Sequence, residues 1–314
     1  MNLRQLKYFL VIAEQGTFLK ASEKVYIAQS ALSHQIALLE EELGTSLFHR
    51  SRRGVTLTEA GEVLMAHAKS ILRQVDDARE SLASLTDSPA GKVTFGIPHS
   101  VSNALALPIL QSVRRDLPRV NLELTEELTG NLSRQLHAGQ IHMAVLFDDA
   151  SLEDFTTEPL VSERLSLITP PDLAPESSHI SLHEALGMPL ILPARPHGVR
   201  PIIENAAARA GYAEPNVVAD ISSISILRTS LLAGMGCTLL PVMPLLNEIE
   251  LGLLRAIEID TPTLTRTVLL CRSSQIPMSA AASSVWRTCV NLSQSLSRQG
   301  LWRDSTVISS CAAS

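Results

Sequence analysis

The chain has 314 residues, of which 45% are hydrophobic and 18% are charged. This length and composition predict a globular protein of two or three domains and exclude a chain that is disordered throughout. The net charge of −6 excludes a protein that is basic over its whole surface. Residues 1–58, however, carry a net charge of +2 and the remaining residues a net charge of −8. A basic end on an acidic body is typical of chains that bind nucleic acid with one end.

The cysteines and the N-terminus predict a cytoplasmic protein. The four cysteines are scattered, with no Cys-x-x-Cys pair, and predict reduced thiols rather than a disulfide framework. Arg4 and Lys7 interrupt the apolar run that a signal peptide would need. The uncharged stretch 229–247 is long enough to span a membrane, but its two glycines and two prolines favour a helix, a turn, a strand and a second helix. We therefore expect no membrane partner.

Residues 1–58 predict a winged helix-turn-helix domain. A helical stripe near the N-terminus ends at Gly16, and a short helix over 21–25 is followed by a tight connection at 27–29. The next helix, from Ser30 to Leu43, ends at Gly44 and has an inward stripe of Leu32, Ile36, Leu39 and Leu43. Such a second helix enters the major groove of DNA. Residues 48–56 then predict a β-hairpin wing.

Candidate DNA contacts lie on the second helix and on the wing. Small and hydrogen-bonding side chains at the start of the helix suit the reading of base edges. Arginines in the wing suit phosphates or the minor groove, although such a run alone could be a solvated loop. The candidates are Gln29, Ser30, Ser33, His34, Arg50, Arg52, Arg53 and Thr56.

Residues 59–87 predict one long linker helix. Its apolar positions are spaced alternately by four and three residues, which is the heptad pattern of a helix that pairs with a second copy. The alternative, a helix lying on its own domain, does not require so strict a period. The predicted dimer seam is Leu64, Ala68, Ile71, Val75, Ala78, Leu82 and Leu85. Residues 88–92 break the helix and predict a hinge.

The rest of the chain alternates strands and helices, as parallel βαβ units do. Strands are predicted at 93–97, 120–125, 143–147, 189–192, 217–219 and 238–240, with helices between them. Two lobes are expected, one from residues 93–161 and 265–299 and the other from 162–264, with a cleft between them. The Ser- and Ala-rich tail 300–314 is expected to be disordered.

Several stretches of this sequence resemble LysR-type transcriptional regulators. The resemblance is carried by Ile27–Gly44, Leu47–Arg50 and Leu57–Gly61, and it continues through 117–118, 136–139 and 231–241 over nearly the whole chain. Within the family the chain is most similar to the nitrogen assimilation control group. Ser30 stands where the family usually has proline, and His142 stands where it often has aspartate.

The resemblance implies an α/β protein with an N-terminal winged helix-turn-helix, a dimerising linker helix and a two-lobed effector domain like periplasmic binding proteins. It also implies a homodimer or homotetramer that binds promoter inverted repeats, bends the DNA and activates or represses transcription. RNA polymerase is then a possible partner, and nitrogen metabolism a possible field of action. No catalytic constellation, cofactor motif or metal-ligand spacing is found in the sequence, so we expect neither an enzyme nor a cofactor or metal protein.

The resemblance also places a small, anionic effector between the lobes, where helix N-termini suit a negative charge. The candidates in the first lobe are Ser100, Ser102 and Thr129, and those in the second are His197 and Arg200, which could pair with a carboxylate. Alternatively, the two serines are ordinary helix caps and Arg200 forms a structural salt bridge. Some members of the nitrogen-control group are thought to act without an effector.

One rival to the regulator remains at this stage. The chain could be a cytoplasmic small-molecule-binding protein whose helical head only oligomerises. The wing arginines favour the regulator, and DNA binding by the head would distinguish the two.

Overall fold

The structure, a computed structural model, describes residues 1–51, 53–83, 89–148, 152–194, 198–212, 214–261 and 264–308. The chain forms two compact units, one of Met1–Asp87 with Ala138–Gln140 and one of Ser88–His137 with Ile141–Ser314. Within the described ranges, no helix is both long and apolar enough to cross a membrane. The uncharged stretch 229–247 instead divides into the end of a helix, a short strand and short helical turns, as predicted.

The first unit is a helix-turn-helix domain followed by a wing and a long helix. Its elements are α1 (Leu3–Gln15), α2 (Phe18–Val25), α3 (Gln29–Leu43), β1 (Phe48–Ser51), β2 (Gly54–Leu57) and α4 (Glu59–Ala83). The side chains of Asn2 and Thr17 accept backbone N–H bonds at the starts of α1 and α2. Gly16 and Gly44 end α1 and α3 in the left-handed conformation, where glycine carries no steric penalty.

The core of this unit lies between α1, α3 and the first strand of the wing. Leu32, Ile36 and Leu39 are fully buried, which confirms most of the inward stripe predicted for α3. Leu43, the fourth member of that stripe, is 39% exposed at the last residue of the helix. Phe9 and Phe48 meet in the core with their ring centroids 5.2 Å apart.

The predicted dimer seam on α4 is only partly available to a second copy. Ala68 is fully buried in the core of its own unit, and Leu64 and Ile71 pack against that core. For Ala68 the prediction is therefore wrong, because the apolar spacing in this half of the helix serves packing within the chain. Val75 is half-buried, whereas Ala78 is exposed and Leu82 is 72% exposed. Leu85 lies outside the described residues.

The second unit alternates strands and helices. Its helices are α5 (His99–Asp116), α6 (Thr129–His137), α7 (Leu182–Gly187), α8 (Arg200–Arg209), α9 (Ile224–Leu232), α10 (Leu246–Glu250) and α11 (Ala280–Arg298). Its strands are β3 (Gly91–Pro98), β4 (Val120–Glu127), β5 (Met143–Phe147), β6 (Phe155–Arg164), β7 (Ser166–Thr169), β8 (His179–Ile180), β9 (Leu190–Leu192), β10 (Val217–Asp220), β11 (Thr238–Leu240), β12 (Arg255–Ile259), β13 (Thr265–Ser273) and β14 (Ser305–Val307).

These strands form the sheets of two lobes. In the first lobe the order is β14-β6-β13-β5-β3-β4, with β3 parallel to β4 and β5. In the second lobe β11-β7-β12-β8 form one sheet and β10-β9 another, joined by a parallel bridge between Leu190 and Cys237. The chain crosses between the lobes at the ends of the paired strands β6 and β13, where Thr265 lies opposite Arg164. The boundaries expected from the sequence are 161/162 and 264/265, whereas β6 continues to Arg164 and β13 begins at Thr265.

The described part of the C-terminal tail is folded, contrary to expectation. Trp302 is only 1% exposed, and its indole N–H donates to Glu163 Oε1 at 2.7 Å. Residues 305–307 then pair with β6 as an edge strand. The expectation of disorder rested on the Ser- and Ala-rich composition and did not take into account Trp302, whose buried indole packs the segment against the lobe. Residues 309–314 of the predicted tail lie outside the described residues.

His142 takes the place of the aspartate that is frequent at this position. It is 7% exposed, and its Nδ1 accepts a hydrogen bond from the Thr94 backbone N–H at 3.0 Å. The Thr94 hydroxyl lies 2.8 Å from the same nitrogen. The imidazole therefore satisfies a backbone donor of β3 beside the start of β5, a task that a carboxylate could also perform.

Candidate nucleic-acid interface and interlobe cleft

The start of α3 presents the polar face predicted from the sequence. Tyr26 ends α2 in the left-handed conformation at φ 57°, and α3 begins three residues later. Gln29, Ser30 and His34 are exposed in the first turns of α3, and the helical period puts Ser30 and His34 opposite its buried apolar stripe. These three side chains are free to approach base edges, and the N-terminus of the helix adds a positive dipole end for phosphate.

The wing is fixed against the turn between α1 and α2. Strands β1 and β2 are antiparallel, with Ser51 opposite Gly54. A Cβ on Gly54 would lie 2.4 Å from the Gly16 carbonyl oxygen, and the Val55 N–H donates to that oxygen at 2.8 Å. Only glycine allows this approach at the observed φ of 129°.

The other wing candidates differ in how they are placed. Arg53 and Thr56 are exposed on the wing. Arg52 lies outside the described residues. Arg53 and Thr56 are thus the described wing candidates, apart from Arg50, that remain open to a phosphate or a groove.

Arg50 is held by partners within the unit. Its Nη1 donates to Ser33 Oγ at 3.4 Å and its Nη2 donates to Glu40 Oε2 at 3.3 Å, while its guanidinium carbon lies 4.9 Å above the centre of the Phe18 ring. Ser33 is half-buried under this contact. Both residues therefore connect the wing to α3, a role that the spacing of the sequence did not reveal.

Residues missed from the sequence also lie on this surface. Tyr26 is 93% exposed at the turn between α2 and α3, where its phenol can reach a phosphate. Arg4 and Gln35 line a surface cavity of about 620 Å³ between α1 and α3. A large aromatic residue at the turn of a helix-turn-helix is the one signal that could have pointed to Tyr26.

The second unit contains two adjoining cavities between its lobes. The outer cavity has a volume of about 440 Å³ and the inner cavity about 70 Å³. Both are lined by His99, Leu128, Ser222 and Ile224. Ser102 lines the outer cavity, whereas Ser100 and Thr129 line the inner one, so the structure brings these three candidates to one cleft.

Ser102 differs from Ser100 in its hydrogen bonding. The Ser102 hydroxyl lies 3.1 Å both from the His99 carbonyl oxygen and from Glu126 Oε1, and His99 Nδ1 lies 2.7 Å from that same carboxylate oxygen. The N-cap of α5 is Pro98, which has no capping side chain. Neither serine is therefore the cap of this helix, and Ser100 lines the inner cavity.

Arg200 forms two ion pairs within the second lobe. Its Nε donates to Glu204 Oε1 and its Nη1 to Asp220 Oδ1, each at 2.6 Å, and its side chain is 9% exposed. Burial would lower the pKa of Arg200, but the hydrogen bonds and charges of Glu204 and Asp220 outweigh burial and raise it. Arg200 lines neither cavity of the cleft, and these two ion pairs favour the alternative of a structural salt bridge over an effector contact. His197 lies outside the described residues.

Two charged residues of the cleft were not predicted. Arg266, at the start of β13, is 2% exposed and lines the inner cavity. Glu127, at the end of β4, lines the same cavity and accepts a hydrogen bond from Asn131 Nδ2 at 2.8 Å. They lie on different strands of one sheet and far apart in the sequence, so only the three-dimensional structure brings them to one cavity.

Comparison with protein families gives two matches. The profile of the "Bacterial regulatory helix-turn-helix protein, lysR family" matches residues 3–62, and the profile of the "LysR substrate binding domain" matches residues 86–293. Together these ranges include the helix-turn-helix, the wing and both lobes.

Similar proteins match along most of their length. The nitrogen assimilation regulatory protein nac of Klebsiella aerogenes is 34% identical, over 93% of this chain and 95% of that protein. The protein of the same name from Escherichia coli K12 is 33% identical over 77% of this chain and 78% of that protein. A full-length OxyR variant from Pseudomonas aeruginosa has a TM-score of 0.73 at 23% identity, covering 98% of each chain. CbnR in complex with its target DNA has a TM-score of 0.70 at 20% identity, covering 93% of this chain and 100% of that one.

Proposed function

Since the chain belongs to the LysR family, and is thus a DNA-binding transcriptional regulator with an effector-binding domain, we propose that α3 reads base edges in the major groove while the wing contacts the backbone. The family is one of regulators rather than of enzymes. The observation that carries the proposal is the exposed face of Gln29, Ser30 and His34 beside a wing anchored on Gly16. Tyr26, Arg53 and Thr56 are the proposed flanking contacts, with phosphate or sugar as their partners.

We propose further that the regulator binds as a homodimer through the exposed part of α4. Val63 is 57% exposed and Leu82 72% exposed, and the exposed Ala78 lies between them. A two-fold dimer would bind an inverted repeat whose half-sites are on the order of 10 bp apart.

A second self-contact would complete a homotetramer. In the second unit Leu107, Ile226 and Met235 are 63%, 56% and 62% exposed on α5, on α9 and just after α9. These exposed apolar side chains are the proposed contacts of that second interface.

Two partners beyond DNA complete the proposal. The cleft between the lobes is proposed to hold a small effector, supported by two adjoining cavities lined by Ser100, Ser102 and Thr129. The relatives named as nitrogen assimilation regulators support target genes in nitrogen metabolism. RNA polymerase is the proposed partner at activated promoters.

The test is capture of DNA by the full-length protein. Sheared DNA from the source organism is mixed with purified protein at two salt concentrations, and the retained fragments are sequenced. Discrete peaks over interrupted inverted repeats are expected at both concentrations. Diffuse retention that disappears in the higher salt would contradict sequence-specific binding and favour the rival small-molecule-binding protein.

A further inference from the structure

The inner cavity has donors for a negatively charged group along one side. No hydrogen bond joins the hydroxyls of Ser100 and Thr129 to other described residues. The N-caps of α5 and α8 are Pro98 and Val199, which line the cavity and have no capping side chains. The first N–H groups of both helices therefore have no side-chain acceptor, and the positive dipole ends of the helices point to the same region.

Arg266 supplies a buried cation on the same cavity. Its side chain is 1% exposed, and its guanidinium carbon lies 4.1 Å above the centre of the Phe147 ring. Nε donates to Glu163 Oε2 at 2.6 Å. Nη2 is equally close to that oxygen, yet it is buried and donates no hydrogen bond to any described residue. A buried donor without an acceptor is costly, and a ligand carboxylate in the cavity would satisfy it.

Glu163 can satisfy only part of the donor capacity of Nη2. Its Oε1 accepts the indole N–H of Trp302 at 2.7 Å, and its Oε2 lies 2.6 Å from both Nε and Nη2 of Arg266. Nη2 carries two N–H groups, and a single oxygen can face only one of them. At least one N–H of Nη2 therefore has no acceptor among the described residues.

Glu127 brings the opposite charge to this cavity. One of its oxygens accepts from Asn131 at 2.8 Å, and it forms no ion pair with a described cation. Asn131 is neutral, so the negative charge of Glu127 is not compensated. A ligand that carried only a carboxylate would meet this charge, whereas a ligand with an ammonium group beside its carboxylate would be attracted by it.

We propose that the inner cavity binds the head group of an L-α-amino acid, with the carboxylate held by Ser100, Thr129 and Arg266 and the ammonium group held by Glu127. The inference rests on the proposed effector role of the cleft and names the chemical class of the effector. It replaces the expected simple anion with a zwitterion. The inner cavity, at about 70 Å³, is less than half the size of a cavity that holds benzene, about 150 Å³, so it accommodates a head group alone. The side chain of the amino acid extends into the outer cavity of about 440 Å³.

The test begins with a screen on the full-length protein. Each of the twenty L-amino acids is added at millimolar concentration, and the shift in melting temperature is measured. The one with the largest shift is titrated by calorimetry beside its decarboxylated amine and its deaminated acid. Binding of the amino acid at least about tenfold tighter than either analogue is expected, because each analogue lacks one charged contact. No binding by any amino acid, or equal binding of an analogue, would overturn the proposal.

Variants separate the two charged contacts. Glu127→Gln is expected to weaken binding of the amino acid at least about tenfold and to leave binding of the deaminated acid unchanged, because only the ammonium contact is lost. Ser100→Ala is expected to weaken binding of both the amino acid and the deaminated acid, because both carry the carboxylate. Glu123→Gln, on the same strand but paired with Lys92 outside the cavities, is the matched control and is expected to change neither. Equal effects of Glu127→Gln on both ligands would contradict the assignment of Glu127.

Failure of this proposal is distinguishable from failure of the DNA-binding account. Fluorescence anisotropy with a captured operator is measured on the same preparations without amino acid. Operator binding with no response to any amino acid would overturn the ligand assignment alone. Loss of operator binding in the unmodified protein would contradict the proposed regulator itself.

Discussion

Glu40 and Arg50 join the recognition helix to the wing. Arg50 Nη2 lies 3.3 Å from Glu40 Oε2, and the other carboxylate oxygen accepts the Leu47 backbone N–H at 2.8 Å just before β1. One carboxylate on α3 therefore fixes both the start of the wing and its first arginine. The angle between the two proposed DNA-contacting elements depends on this side chain.

Replacement of Glu40 should loosen the wing. Glu40→Ala leaves the Leu47 N–H without its acceptor, at a cost of about 1–3 kcal/mol, and we expect faster hydrogen exchange in 45–57 together with weaker operator binding. Glu40→Gln keeps an acceptor and loses only a partly exposed ion pair, worth about 0–1 kcal/mol. Exchange measured by mass spectrometry checks both variants. Equal protection in the alanine variant and the unmodified protein would contradict this role.

Leu82 should contribute to self-association and not to folding. It is 72% exposed in the single chain, so Leu82→Glu is expected to shift the protein towards smaller assemblies without lowering its melting temperature. Ala68→Leu is expected to lower the melting temperature without changing the size of the assembly, because overpacking a buried position costs about 1–3 kcal/mol. Analytical ultracentrifugation and thermal melting distinguish them, with Lys69→Glu as an exposed control on the same helix. An unchanged sedimentation profile for Leu82→Glu would exclude this part of α4 from the interface.

Arg200→Ala should destabilise the second lobe. The substitution removes two ion pairs and leaves Glu204, at 28% side-chain exposure, without its arginine. A loss of about 1–3 kcal/mol is expected, because Asp220 is largely solvated and contributes little. Urea unfolding checks the loss, and calorimetry checks that the folded variant keeps its ligand affinity. Selective loss of ligand affinity in a fully stable variant would restore Arg200 as a binding residue.

The buried cysteines should be inert in the folded protein. Burial raises the pKa of Cys271 and of Cys289 from 9.0 to about 12. Thiol reagents at pH 8 are therefore expected to label these positions only after unfolding. Because the native pKa values lie above those of unfolded thiols, their contribution to stability is complete below pH 9.0 and is lost as the pH rises from 9.0 towards about 12. Rapid labelling of the native protein at these two positions would contradict their burial.

The elements of the fold could be predicted from local signals. Gly16 and Gly44 end helices at the predicted residues, and strand β5 has the predicted limits. Periodicity and turn residues are properties of neighbouring positions, so a single sequence carries them. The polar face of α3 follows from the same helical period.

What could not be predicted depends on partners distant in the chain. Arg50 reaches Phe18 and Glu40, and Arg200 reaches Asp220, contacts that sequence spacing does not encode. The seam on α4 was misjudged at Ala68 because a helix that packs on its own domain and one that pairs with a copy share nearly the same period. Arg266 and Glu127 line one cavity although they are distant in the sequence, because β13 and β4 belong to one sheet.

The proposal that α3 reads bases while the wing contacts the DNA backbone is tested most directly by two variants on one DNA library. His34→Ala and Arg53→Ala are titrated against randomised operators at several salt concentrations, with base preferences read by sequencing. We predict that His34→Ala relaxes preference at particular base positions by about 1–3 kcal/mol and leaves the salt dependence intact. Arg53→Ala should weaken binding to all DNA sequences alike and reduce the slope of log affinity against log salt concentration by about one. Unchanged base preferences with His34→Ala, together with an unchanged salt slope with Arg53→Ala, would contradict the account.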